Sequence, residues 1–164
     1  MNNIVLIGMP GVGKSTIGVV LAKILGYKFL DADLVIQEKE GKLLKDIIAD
    51  EGVDGFIKVE NDVNAGLNVS KTIIATGGSV VYGKEAMSHL KQMGKIVYLE
   101  VDLETLKKRI TSIKGRGVVA RDGQTLEDIY KERVPLYEKY ADITVNENGC
   151  TVEETIEKII RELE

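Results

Sequence analysis

Short β-branched runs alternate along this chain with longer stretches whose apolar positions recur every three or four residues, the pattern of an α/β domain with a mainly parallel sheet. Five runs read as strands: Ile4–Ile7, Lys28–Leu30, Thr72–Thr76, Ile96–Val101 and Ile143–Val145. The first, third and fourth carry continuous apolar runs, which predicts strands covered on both faces at the centre of the sheet. Ser15–Leu25 and Lys84–Met93 read as helices, each closed by a glycine, Gly26 and Gly94, in the left-handed conformation that often ends a helix. The last helix starts behind Thr151, whose hydroxyl and the Glu154 carboxylate are spaced for a capping box. Val152, Ile156, Ile159, Ile160 and Leu163 form its apolar stripe. Leu43–Ser70 predicts two or three helices inserted between strands. No repeat or linker divides the chain, so residues 1–164 read as a single domain.

Composition narrows the classes. With 164 residues, 44% of them hydrophobic, the chain can build one core. Lys and Arg number 22 against 26 Asp and Glu, for a net charge of −4, and no basic run is present to track a phosphate backbone. Without Trp there is no stacking platform for single strands either, so no nucleic-acid partner is expected. A single cysteine, Cys150, and a single histidine, His89, exclude an intramolecular disulfide and a metal site of paired His/Cys ligands. Cys150 is expected to be structural and His89 a surface residue. The N-terminal apolar run is far too short to span a membrane or serve as a signal segment, and a soluble, cytoplasmic protein with no membrane partner is expected.

One motif carries strong chemistry. Gly8-Met9-Pro10-Gly11-Val12-Gly13-Lys14-Ser15 fits G-x-x-x-x-G-K-[ST] and lies between a predicted strand and a predicted helix. Gly11, Val12, Gly13, Lys14, Ser15 and Thr16 then cradle a triphosphate. Backbone N–H groups and the helix N-terminus face its oxygens, Lys14 reaches the β- and γ-phosphates, and the Ser15 hydroxyl binds Mg²⁺. No guanine-reading N-K-x-D motif follows, and the chain is short for a motor ATPase. What remains is a kinase of small molecules or nucleotides that uses ATP.

Further residues carry a family resemblance. They are Asp31-Ala32-Asp33 after the second strand, Gly52 to Glu60 with Phe56 and Glu60, and Ala75-Thr76-Gly77-Gly78. Arg109 with Arg116, Glu132-Arg133-Val134-Pro135-Leu136-Tyr137-Glu138 and Ala141-Asp142 complete the set. With the phosphate loop, these residues make the chain resemble the shikimate kinase family over nearly its whole length. The resemblance implies a three-layer P-loop kinase fold whose five-stranded parallel sheet, in the order 2-3-1-4-5, is flanked by helices. It further implies a substrate-binding helical region at about 33–70, a lid at about 115–123, and phosphoryl transfer from ATP to the 3-hydroxyl of shikimate. Residue by residue, it makes Asp33 the carboxylate that orients the acceptor hydroxyl and Asp31 a support for Mg²⁺ through water. Gly77 and Gly78 form the turn that approaches the acceptor, and Arg133 pairs with the acceptor carboxylate. Arg116 reaches the transferring phosphoryl group, and Arg109 stacks on adenine. Lys14, Asp33 and Arg116 are thus the catalytic set, in a chain expected to act as a monomer.

The sequence also departs from the family. Ile57 stands where the family has a second carboxylate-clamping arginine, and Lys58 is no simple replacement, because one step along a helix turns a side chain by about 100°. The family's third glycine is Ser79, and its Arg-Pro-Leu-Leu reads Arg116-Gly117-Val118-Val119. These changes leave open a different small hydroxy acid or hydroxy amino acid as acceptor, a lid arginine, Arg121, that restores the missing charge, and a nucleotide-binding module without catalysis.

Overall fold

The computed structural model describes residues 2–110 and 118–164. Five strands, β1 (Asn3–Ile7), β2 (Lys28–Asp31), β3 (Thr72–Ala75), β4 (Gly94–Glu100) and β5 (Ile143–Asn146), form one parallel sheet in the order β2-β3-β1-β4-β5. Every residue of β1 and β3 is buried, as are the central four of β4, which is why these three strands read as unbroken apolar runs. Helices cover both faces. On one side α1 (Lys14–Leu25) crosses β1, β2 and β3 and touches α7 (Val152–Leu163), which lies along β5. On the other, α4 (Lys84–Met93) and α6 (Leu126–Tyr140) pack on β4, and α3 (Leu44–Ala65) packs on α4. Two shorter helices, α2 (Ala32–Glu40) and α5 (Leu103–Arg109), follow β2 and β4.

Helix ends follow their expected chemistry, with one correction. Gly26 closes α1 at φ 72°, and Thr151 with Glu154 forms the capping box of α7. Gly94 is not left-handed: its φ is 176°, and it is already the first residue of β4, paired with Asn3. Glycine is required there by proximity, since a Cβ would lie 2.0 Å from the Asn3 carbonyl oxygen. Buried Asn3 ties three strand ends together, donating to the Val69 and Met93 carbonyls and accepting from the Thr72 amide. His89 is half-buried rather than on the surface, with Nε2 2.6 Å from the Leu67 carbonyl oxygen.

The inserted helices build a second, smaller core. Helix α3 is broken at Gly52, where φ 76° and ψ 175° interrupt the helical path. Its second half turns Phe56, Glu60, Val63 and Asn64 inward. Phe56 and Val63 pack with Ile36, Ile47 and Val119, so a residue just ahead of α6 is anchored on the α2–α3 layer. This layer stands over the C-terminal ends of β1, β2 and β3, where open parallel sheets bind ligands.

Candidate active site

The loop between β1 and α1 takes its shape from glycine. Gly11 and Gly13 have φ of 90° and 85°, and Gly13 leads directly into α1. Lys14 is buried, and its Nζ donates to the carbonyls of Gly8 at 2.6 Å and Met9 at 3.0 Å. Burial lowers its pKa to about 8 against the opposing pull of Asp33, so the ammonium remains charged at neutral pH. The exposed Ser15 hydroxyl donates to Asp31 Oδ2 at 2.9 Å, while Asp31 Oδ1 caps α2 by accepting from the Asp33 amide. Asp31 thus serves as a helix cap and as a partner of Ser15 at once. A hydroxyl backed by a carboxylate is a hard oxygen pair at the helix N-terminus, and it fits Mg²⁺ held through one side chain and water.

Asp33 lies beside this loop, half-buried. Desolvation, then the neighbouring Asp31 charge, raises its pKa to about 6 while Lys14 opposes the shift, which leaves it ionised at neutral pH. A cavity of about 330 Å³ joins Lys14, Ser15, Asp33, Gly77, Gly78 and Val118. The two glycines are its pivot. A Cβ on Gly77 would lie 2.6 Å from Asp33 Oδ1 and 2.8 Å from Glu60 Oε2, and one on Gly78 would lie 2.8 Å from Pro10 Cδ and 3.0 Å from Arg133 Nη1. The turn therefore brings the phosphate loop, two carboxylates and a guanidinium together, and any larger residue would push them apart.

Arg133 is only 2% exposed, an unusual burial for a charge. Its Nη2 donates to the Val119 carbonyl at 2.5 Å and its Nε to the Tyr82 hydroxyl at 3.4 Å, and among the described residues it forms no ion pair. Arg109 Nη1 bridges the Gly11 carbonyl and Glu147 Oε1, each at 3.0 Å. Together with Thr16, Cys150 and Thr151, these residues line a cavity of about 280 Å³ that borders the loop at Gly11 to Gly13. Cys150 is half-buried, its Sγ 3.2 Å from Lys158 Nζ. Arg116 and the first part of the predicted lid, residues 115–117, lie outside the described residues.

Sequence reasoning gave no role to Glu60, Ser79, Tyr137 or Glu147. Glu60 is 1% exposed; Ser79 Oγ donates to its Oε1 at 2.5 Å, and its Oε2 has no partner among the described residues. A carboxylate at the position whose neighbours three and four residues away, Phe56, Val63 and Asn64, face inward was the available signal. Burial raises its pKa to about 7, with the Ser79 hydrogen bond opposing and the Asp33 charge reinforcing the shift. Tyr137, stacked on Tyr98 with ring centroids 5.1 Å apart, donates to the Gly78 carbonyl at 2.5 Å and fixes the turn. Glu147 is buried against Arg109. The Tyr137 and Glu147 contacts join distant parts of the chain and leave no local pattern.

A glycine-rich loop between a central parallel strand and a helix, with a lysine, a hydroxyl and an ionised carboxylate around one cleft, defines a P-loop kinase. The shikimate kinase family model matches residues 10–164. A shikimate kinase of Francisella tularensis subsp. novicida is 41% identical over 161 residues, covering 96% of this chain and 92% of its own. The solved shikimate kinase of Acinetobacter baumannii in complex with shikimate superposes with a TM-score of 0.88 at 33% identity, covering 99% of this chain and 93% of its own. The Aquifex aeolicus shikimate kinase gives 0.84 at 31% identity, covering 98% and 95%. The chain belongs to the shikimate kinase family.

Proposed function

We propose that this protein transfers the γ-phosphoryl group of ATP to the 3-hydroxyl of shikimate. The observation that carries the reading is the Gly77-Gly78 turn, which sets Asp33 and Arg133 against the phosphate loop. A bond forms between the acceptor oxygen and the γ-phosphorus, the bond from that phosphorus to the β–γ bridging oxygen breaks, and the hydroxyl proton leaves toward Asp33. Asp33 orients the hydroxyl in line, Lys14 neutralises charge gathering on the phosphoryl oxygens, and Arg133 holds the acceptor carboxylate. Ser15, supported by Asp31, would hold Mg²⁺, which would supply charge screening to the triphosphate. Gly11 to Thr16 bind the phosphates, Arg109 packs on the adenine, and Arg116 belongs to a lid at about 115–123 that covers the cleft beside the 33–70 helical region. The chain acts as a monomer in the cytoplasm; among the described residues no helix is long and apolar enough to cross a membrane.

A second reading rests on Ile57, which lines the acceptor side where the family has an arginine. It gives the site a less polar hydroxy acid or a hydroxy amino acid. Steady-state turnover with shikimate beside a panel of such acids, for wild type and Ile57→Arg, separates the two. Shikimate as acceptor predicts a wild-type kcat/KM above about 10⁴ M⁻¹s⁻¹. A value below about 10² M⁻¹s⁻¹ that rises strongly in Ile57→Arg rejects it, and no turnover with any acceptor favours a nucleotide-binding module.

A further inference from the structure

A second cavity, of about 220 Å³, is lined by Ile57, Val119, Arg121 and Arg133, and none of the described phosphate-loop residues lines it. Among the described residues its one lining carboxylate, Glu132, accepts a hydrogen bond from the Tyr82 hydroxyl. Among the described residues, two guanidinium groups thus share a small space with one carboxylate that is already engaged. Lys58, the residue beside Ile57 on α3, is exposed and does not line the cavity.

Arg121 is delivered there by a built segment. Val119 is buried in the smaller core on one side of it. On the other, the Arg121 amide donates to Gln124 Oε1 at 2.8 Å and the Gln124 amide donates to the Arg121 carbonyl at 3.0 Å, just ahead of the Thr125 cap of α6. The guanidinium pairs with Asp54 Oδ1 at 2.7 Å, and Asp54 is three residues, about one helical turn, before Ile57 on α3. Both partners of this pair are well exposed, 57% and 82%, so it holds Arg121 weakly and a carboxylate in the cavity can recruit the group at small cost. The cation that α3 lacks at Ile57 is therefore present in the same space, carried by the segment ahead of α6.

Resting on the shikimate reading, we infer that Arg121 is the second carboxylate-binding residue of the acceptor site, acting with Arg133 in place of an arginine at position 57, and that Asp54 competes for it. A shared pair of guanidinium groups recognises a carboxylate and is indifferent to the neutral ester of the same acceptor. The test is steady-state kinetics of wild type, Arg121→Ala, Asp54→Ala and Ile57→Arg/Arg121→Ala with shikimate and with its methyl ester. Arg121→Ala should raise KM for shikimate about 10- to 100-fold with kcat and KM for ATP within about threefold, and should leave kcat/KM for the ester nearly unchanged. Asp54→Ala should lower KM for shikimate, and the double variant should recover most of the loss. If Asp54→Ala and Arg121→Ala raise KM alike, the pair only holds the segment, and the assignment is overturned. It is overturned equally if Arg121→Ala matches wild type, or loses as much on the ester, while wild type turns over shikimate normally. Absence of wild-type shikimate turnover overturns both the acceptor and this assignment.

Discussion

On the nucleotide side of the cleft, eight consecutive residues from Gly8 to Ser15 set the loop, the lysine and the Ser15 hydroxyl, with backbone groups and one helix end as the main tools. On the side proposed for the acceptor, the Asp33 and Glu60 side chains meet at the Gly77 backbone and those of Arg121 and Arg133 share one cavity, so the groups come from five separate stretches. A backbone cradle tolerates exchange of most side chains around it, whereas a side-chain constellation changes its chemistry with every substitution. The departures from the family pattern at Ile57, Ser79 and Val118-Val119 lie on the second side, and the loop matches its pattern fully.

Substitutions at single positions should separate the two halves. Lys14→Ala strikes the nucleotide side and has the largest effect, a fall in kcat of about 10³-fold in a steady-state assay. The two hydrogen bonds to loop carbonyls that it loses are offset by relief of a buried charge, so the thermal midpoint should move by no more than about 4 °C. A large loss of stability with normal turnover would place the lysine in the architecture instead.

Gly77→Ala strikes the acceptor side alone. The added methyl displaces the ends of the Asp33 and Glu60 side chains, which can move without unfolding the chain. If Asp33 orients the acceptor hydroxyl as proposed, misplacing its carboxylate by about 1 Å should cost about 10²-fold in kcat. Calorimetric affinity for MgATP should remain within about threefold, and parallel losses of both would mean that the halves are coupled through Pro10.

The mildest perturbation, Glu60→Gln, reads the electrostatics of the acceptor side through stability. Glu60 titrates near 4.5 when unfolded and near 7 when folded, so the native state binds its proton more tightly. Its contribution is then fully present below about pH 4.5 and is lost as pH rises through 7. Urea unfolding of wild type should lose about 2 kcal/mol between pH 5 and pH 7 relative to Glu60→Gln. Parallel curves for the two proteins would show that Glu60 ionises in the fold as easily as in the open chain.

Local signals were enough for much of this molecule. The central strands are apolar runs because both faces are covered, the phosphate loop is contiguous, and the Thr151–Glu154 cap closes within one helical turn. Gly94 misled for a physical reason: a glycine after a helix serves equally as a left-handed cap or as the point where a neighbouring strand comes too close for a Cβ, and only the Asn3 carbonyl distinguishes the two. Sequence determined the class of chemistry, because a phosphate cradle is written in adjacent residues whose backbone does the binding. The tertiary structure decided how the acceptor side is charged. Arg121 reaches the space beside Ile57, Ser79 satisfies one oxygen of Glu60, and Arg133 is buried against Val119. Each of these contacts joins residues brought together only when the helices of the 33–70 region and α6 fold over the ends of the sheet, and no local period or spacing encodes a meeting of that kind.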